Sequence, residues 1–220
     1  MAATPYQQDN ANYSEAVHAL ARRQVYPKLF SADADNITYE ADTLVGQSPL
    51  GDVLDGEMGI DRIVRVSVRG LTGALSFTVQ ERFRRPKFSQ YRDITVTEWN
   101  HASGLPSELY KIQAQVFLYG YADREQEPTW ITEAIAINTT SLLMAIARGA
   151  VRYETQRNKK QQTFLTIPFT EIESNDLVIW RAKKFSSPQD TAQYMRERML
   201  GKTPEWNREF LSALVRGMEA

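Results

Sequence analysis

The sequence predicts an α/β fold in which a mixed central β-sheet is flanked by α-helices, as in a three-layer sandwich. Apolar side chains first recur at helical spacing over residues 13–29. Two β-branched, alternating segments follow over residues 60–84 and are joined by the turn-like sequence RGLTG. Strand-like and helix-like segments then alternate along the rest of the chain. This order favours a sheet that is covered by helices.

The first helix is predicted over residues 13–29. Ser14 is its candidate N-cap, and Pro27 lies near its end. The helix carries Glu15 and His18 three residues apart, which places both side chains on one face. Its apolar positions are Val17, Leu20, Ala21, Val25 and Leu29.

The next predicted feature is an antiparallel β-hairpin. Its strands are residues 60–68 and 74–84, because β-branched residues alternate with polar ones in both segments. The turn is expected over residues 69–73. The stretch before the hairpin, residues 33–58, is rich in Asp, Gly and Ser and therefore predicts loops, with one short strand at 37–39.

The later elements are predicted from the length and periodicity of each segment. Further strands are expected at residues 93–99, 131–138, 163–169 and 176–182. Further helices are expected at residues 109–122, 139–156, 187–200 and 204–218. We expect one domain over residues 1–220, with its core over about 13–140 and peripheral strands and C-terminal helices over 141–220.

Composition narrows the class of protein. With 220 residues, 42% hydrophobic and 24% charged, the chain is long enough for one substantial core. It has no cysteine, which excludes a disulfide framework and favours a cytoplasmic protein. The N-terminal residues lack the apolar run of a secretory signal, and no apolar window is long enough to predict a membrane span. A homodimer is compatible with these expectations.

Basic residues are clustered although the chain as a whole is nearly neutral. The formal net charge is -1 and the pI is about 6.2, which excludes a protein that coats nucleic acid by bulk charge. Local clusters can still contact phosphates. One cluster interleaves with aromatic residues and comprises Arg82, Arg84, Arg85, Lys87 and Arg92. A second cluster, also explained by a solvated surface, comprises Arg148, Arg152, Arg157, Lys159 and Lys160.

The predicted hairpin gathers oxygen ligands and one cation. Asp61 lies where the first strand starts, and Gln80, Glu81 and Arg82 lie where the second strand ends. Strand alternation places Gln80 and Arg82 on one face and Glu81 on the other. The chain has only two histidines and no cysteine, so a metal site here must consist of oxygen ligands. Mg²⁺ or Mn²⁺ suits such a site better than zinc does.

This order of residues resembles the PD-(D/E)XK nuclease superfamily. Asp61 matches the Asp of the motif, Gln80 stands at its second acidic position, and Arg82 stands at its Lys position. The resemblance implies a restriction-endonuclease-like fold and magnesium-dependent cleavage of DNA. Glu15 on the first helix is the candidate for the additional acidic residue that many members carry.

A second sequence motif supports this resemblance. Residues 115–119 read QVFLY, which is similar to the Q-x-x-x-Y signature of the RecB-type branch. On the helix predicted over 109–122, Gln115 and Tyr119 would share one face. The resemblance implies that both side chains face the metal or the DNA.

Two features of the motif leave alternatives open. Gln80 supplies one negative charge fewer than Glu, and a strand bulge that turned Glu81 toward Asp61 would restore that charge. A guanidinium does not lose its proton, so Arg82 can stabilise charge but cannot act as a base. A nuclease-like fold without catalysis, which binds nucleic acid or protein, is therefore the first alternative. The second alternative is an interaction protein in which the hairpin is merely structural.

The resulting expectations assign a role to each residue. The catalytic set is Asp61, Gln80, Glu81, Arg82, Gln115 and Tyr119. The ligands of Mg²⁺ or Mn²⁺ are Asp61, Gln80, Glu81 and Glu15. The DNA backbone is expected to contact Arg84, Arg85 and Lys87. The neighbouring Asp52, Asp55 and Glu57 have two interpretations: an acidic loop that binds calcium or magnesium, and a flexible, exposed acidic surface. The spacing does not match an EF-hand loop, so the second is favoured.

Overall fold

The computed structural model describes residues 5–30, 37–43, 49–69, 72–158 and 161–182. The described helices are α1 (Pro5–Gln24), α2 (Tyr26–Leu29), α3 (Pro49–Met58), α4 (Glu108–Lys111), α5 (Thr139–Ala147) and α6 (Phe169–Ser174). The described strands are β1 (Ile37–Thr43), β2 (Arg62–Val68), β3 (Ala74–Arg84), β4 (Asp93–Asn100), β5 (Leu105–Pro106), β6 (Val116–Ala122), β7 (Ile131–Asn138), β8 (Glu154–Arg157), β9 (Gln162–Pro168) and β10 (Val178–Ala182). A 3-10 helix spans Pro86–Tyr91. The helices predicted at 187–200 and 204–218 lie outside the described residues.

A mixed six-stranded sheet forms the centre of the molecule. Its order is β1-β2-β3-β6-β7-β10. Strands β3 and β6 are parallel, and the other neighbours are antiparallel. The predicted hairpin is confirmed, since β2 pairs with β3 in a register that sets Arg62 opposite Val79. A mixed α/β architecture with a mixed central sheet is therefore confirmed as well.

A second sheet, which the sequence did not predict, covers part of the central one. Its order is β5-β4-β9-β8, and all its neighbours are antiparallel. The strand predicted at 93–99 exists as β4 but pairs with β9, about seventy residues later in the chain. Strands β9 and β10, from the segment expected to be peripheral, thus each belong to one of the two sheets. No described helix combines the length and apolar character needed to cross a membrane.

Two hydrophobic clusters hold the layers together. On one face of the central sheet, helices α1 and α2 contribute side chains such as Val17 and Leu29, which pack with Val64 and Leu118. The other face packs against the second sheet and against α5 and α6; Phe117 of β6 is buried there. The apolar spacing predicted for the first helix is confirmed, because its buried positions face the sheet.

The helix predicted over 109–122 is wrong. This segment forms the single turn α4 and then β6, a central strand that lies between β3 and β7. All seven residues of β6 are buried, because layers cover both of its faces. A strand buried on both sides is apolar throughout and shows no alternation, so its pattern resembles that of a buried helix.

Two other segments differ from the prediction. The helix predicted over 139–156 ends at Ala147, and residues 154–157 form β8 instead. The stretch predicted as loops contains α3 in addition to β1. In both cases glycine and polar residues weakened the local signal, and tertiary packing decides the structure.

Candidate functional site

Asp61 lies immediately before β2 and is bound to the strand beside it. Its backbone N–H donates to the carbonyl oxygen of Val79 over 3.0 Å. Its carboxylate Oδ2 accepts a hydrogen bond of 2.5 Å from the backbone N–H of Glu81. These two bonds lie on either side of Gln80 along β3. The structure thus brings Asp61 and Gln80 together, as the sequence predicted.

Asp55 of α3 is the closest acidic partner of Asp61. Helix α3 ends in a tight turn in which the N–H of Gly59, at φ +56°, donates to the Asp55 carbonyl over 3.1 Å. Burial, and then a side-chain hydrogen bond with Asp55, raise the pKa of Asp61 to about 8. The interpretation of Asp55 as a member of an exposed acidic surface was therefore wrong. No periodic spacing links Asp55 to Asp61, so the sequence carried no signal for this pair.

The side-chain oxygen of Gln80 is buried near Gly59, two residues before Asp61. Its Oε1 accepts no hydrogen bond from any described residue and would lie 3.2 Å from a Cβ added at Gly59. A buried acceptor without a donor is costly unless a cation or water satisfies it.

The side chains of Asp55, Asp61 and Gln80 fit a hard divalent cation. Two carboxyl groups joined by a hydrogen bond, together with one amide oxygen, are oxygen ligands of the kind that Mg²⁺ takes, with water and phosphate completing its octahedron. Among the described residues, no group of three or more His, Cys, Asp and Glu side chains could hold a metal ion. A metal ion held by Asp55 and Asp61 would therefore need the Gln80 oxygen as a third protein ligand.

Arg82 extends from the same face of β3 as Gln80. Its guanidinium donates to the Glu108 carboxylate of α4, and its side chain is about one-third exposed (34%). Glu108 also accepts the N–H of Thr97 on β4, over 3.2 Å. Glu108 therefore fixes Arg82 between the two sheets. No local spacing indicates this role, because 26 residues separate the pair in the chain.

Glu81 points away from the Asp61 carboxylate, toward α1. Its buried carboxylate accepts from the Tyr26 hydroxyl at 2.6 Å and from Arg62 Nε at 3.2 Å, and lies 3.1 Å from His18 Nδ1. Burial and the Glu81 charge raise the pKa of Tyr26, while burial lowers that of His18 against the attraction of Glu81. Only the backbone N–H of Glu81 reaches Asp61. Glu81 therefore has a structural role in the core, in place of the metal-ligand role expected from the sequence.

Three other predicted residues lie apart from Asp61. Glu15 is exposed on α1, whereas His18, one turn later, faces Glu81. Gln115 is exposed just before β6, and its Oε1 accepts the N–H of Thr78 over 3.0 Å. Tyr119 is buried within β6, next to Arg82 in register. Gln115 and Tyr119 consequently lie just before a strand and within it, and the helical face expected for them is wrong.

A basic cleft begins at Arg82 and extends along the end of β3. It has a volume of about 680 Å³ and is lined by the three residues predicted to bind the DNA backbone. Within the structure these three cations contact carboxylates: Arg84–Asp93 at 3.0 Å, Arg85–Asp9 at 2.6 Å and Lys87–Glu125 at 3.0 Å. Arg84 also stacks 4.0 Å above the Phe88 ring, and Arg85 stacks 4.4 Å above that of Tyr13.

Comparison with known proteins assigns the chain to no family. No protein-family model, no curated protein and no solved structure matches it.

Proposed function

We propose that this protein is a metal-dependent nuclease that hydrolyses phosphodiester bonds in DNA, on a restriction-endonuclease-like fold. The observation that carries the proposal is the arrangement of Asp61, Gln80 and Arg82. Asp61 is bonded to β3 on either side of Gln80, and the buried Gln80 oxygen has no described donor. Arg82 extends from the same face of β3 as Gln80 and lines a basic cleft. All these residues come from one chain.

The order of elements supports the same proposal. A helix, an antiparallel hairpin with the acidic residue at its start and the Gln-x-Arg pair on its second strand, and a mixed sheet are all present. The arrangement departs from the expected pattern after β3, where a second sheet and the short α4 replace a long helix. This departure brings Glu108 to Arg82.

Each residue has a defined task in the proposed reaction. Asp55, Asp61 and Gln80 would hold Mg²⁺ or Mn²⁺. When bound, the ion would neutralise negative charge on the phosphate and activate water. Arg82 donates hydrogen bonds to charge that develops on the phosphate oxygens, and Glu108 holds its guanidinium in place. Because a guanidinium keeps its proton, Arg82 takes no part as a base.

A nuclease assay on single- and double-stranded DNA with Mg²⁺ and with Mn²⁺ tests the proposal. Wild type is compared with Asp61→Ala and with Asp61→Asn, which keeps an oxygen for the Glu81 N–H. We expect both variants to lose activity by about 100-fold or more. Glu57→Ala, at a side chain of α3 that is 73% exposed, is the matched control and should keep wild-type activity. Equal activity of wild type and Asp61→Ala would remove the proposal.

A nuclease-like binding module without catalysis is the second candidate function. Two observations favour it: Gln80 carries a neutral amide, and Arg82 already forms an ion pair with Glu108. Calorimetry separates the two candidates. Absence of Mg²⁺ binding together with retained DNA binding would favour the module, whereas Mg²⁺ binding that requires Asp61 would favour the nuclease.

A further inference from the structure

We propose that the basic cleft takes an unpaired nucleic-acid strand and excludes a duplex. This inference rests on the proposed function and specifies its substrate. Three observations carry the inference: the size and lining of the cleft, the cations that line it, and the exposure of the acidic partner of one of these cations.

Side chains from α1 and from the second sheet line the cleft. Tyr13 and Ser14 belong to α1, Thr95 and Thr97 to β4, and Phe164 to β9. The cleft volume of about 680 Å³ is that of a site for a small molecule. The major groove of a double helix is alone about 12 Å wide, with a backbone on either side. We therefore expect the cleft to take unpaired nucleotides and to exclude a duplex.

A row of cations lines the cleft. Arg82 and Arg84 lie on the same face of β3 as Gln80, at intervals of about 6.6 Å along the strand. Arg85 and Lys87 follow them in the chain and also line the cleft. A chain of phosphates bound along this row would pass Arg82, which is two residues from Gln80 on that face.

One cation of the cleft has an acidic partner that a ligand can displace. In the Lys87–Glu125 pair the two side chains are 58% and 43% exposed, whereas Arg85, which pairs with Asp9, is only 15% exposed. An exposed ion pair such as Lys87–Glu125 contributes about 0–1 kcal/mol. A phosphate, which carries more acceptor oxygens, can displace Glu125 from Lys87.

Aromatic rings that line the basic cleft suit unpaired bases. Phe83, Phe88 and Phe164 all line it, and each keeps part of its side chain exposed. Bases of a single strand stack on such rings irrespective of sequence, whereas the bases of a duplex are already stacked on one another.

Fluorescence anisotropy tests the inference. The probes are a labelled single strand of about twelve nucleotides and the blunt duplex of the same sequence, both in EDTA so that no cleavage occurs. We expect the single strand to bind at least about 10-fold more tightly than the duplex. Lys87→Glu, at a side chain that is 58% exposed, should weaken single-strand binding about 5- to 10-fold and reduce its salt dependence. Arg148→Glu, an equal charge reversal at an exposed residue outside the cleft, should change binding less than about 2-fold.

Two results would overturn the inference: duplex binding as tight as single-strand binding, or equal effects of Lys87→Glu and Arg148→Glu. The outcome is separable from that of the nuclease assay. Selective single-strand binding without metal-dependent cleavage would retain this inference and reject the nuclease. Cleavage that depends on Asp61, together with tighter binding of the duplex, would retain the nuclease and reject this inference.

Discussion

At the scale of single residues, the main feature is a carboxyl group that is buried beside another carboxyl group. Asp61 accepts the Glu81 N–H at one oxygen, and a side-chain hydrogen bond links it to Asp55. Burial, and then this hydrogen bond, raise the pKa of Asp61 and so favour its protonated form. The motif identified Asp61 and Gln80, but Asp55 is brought in by the turn at Gly59, which no residue pattern encodes.

The first prediction concerns the pH dependence of stability without metal. Asp61 binds its proton more tightly in the folded protein, with a pKa of about 8, than in the unfolded chain, where the ordinary value is 3.8. The free energy of unfolding must therefore fall as the pH rises from about 4 to about 8, and level off above that. Asp61→Asn lacks this titration and mimics the protonated form. In EDTA at pH 8.5 we expect it to be more stable than wild type by about 2 kcal/mol or more, and nearly equal at pH 4.5.

Urea unfolding at the two pH values measures this difference. Glu57→Gln removes the same charge from an exposed side chain and should show no such gain at pH 8.5. An Asp61→Asn variant that is less stable than wild type at both pH values would contradict the raised pKa of Asp61.

At the scale of secondary-structure elements, the sequence was most informative where strands alternate and least informative where a strand is buried on both faces. The β2–β3 hairpin was predicted because its polar and apolar residues alternate. Strand β6 was predicted as a helix because VFLYGYA has no alternation and follows residues that favour helices. Its aromatic residues and Gly120 were the available signals for a strand.

The second prediction concerns Gly120. A Cβ at this position would lie 2.5 Å from the Glu133 carbonyl oxygen and 2.9 Å from the Phe83 ring. Both are packed parts of the core, so the strand must shift to admit a methyl group. We expect Gly120→Ala to lower the free energy of unfolding by about 3 kcal/mol, measured by urea denaturation. Gly56→Ala in α3, where no atom lies within 4 Å of the added Cβ, should be neutral or slightly stabilising. Equal effects of the two substitutions would contradict the close packing at β6.

At the scale of the whole molecule, pairings between distant segments determine what the site looks like. The second sheet joins β4 to β9, and α4 brings Glu108 to Arg82. Local patterns predict elements but not which distant strands will pair, so the motif residues could be predicted and the walls of the cleft could not. Composition likewise gave a nearly neutral chain, although the cleft concentrates its cations.

The third prediction links metal binding to global stability. If Asp55, Asp61 and Gln80 hold Mg²⁺, the ion binds the folded chain only and must raise its unfolding temperature. At ten times its dissociation constant the gain is about 1.4 kcal/mol, or about 3–5 °C for a chain of this size. The shift should be larger at pH 8.5 than at pH 5, because the ion competes with the proton on Asp61. Differential scanning fluorimetry over a Mg²⁺ titration measures it.

Asp61→Asn serves as the control for that titration and should show little shift. An unfolding temperature that Mg²⁺ leaves unchanged at pH 8.5 would argue against a metal at this position, whatever the variant does.

The parallel pairing of β3 with β6 also has a consequence during synthesis. The β2–β3 hairpin joins neighbouring segments and can close early, as soon as it leaves the ribosome. Arg82, by contrast, can contact Glu108 and β6 only after the intervening segment has been synthesised. The part of the cleft that β9 lines forms later still. A nascent chain that carries Asp61 and Gln80 therefore lacks an oriented Arg82. We expect any cleavage activity to emerge only with the completed fold, so that half-made chains leave nearby DNA intact.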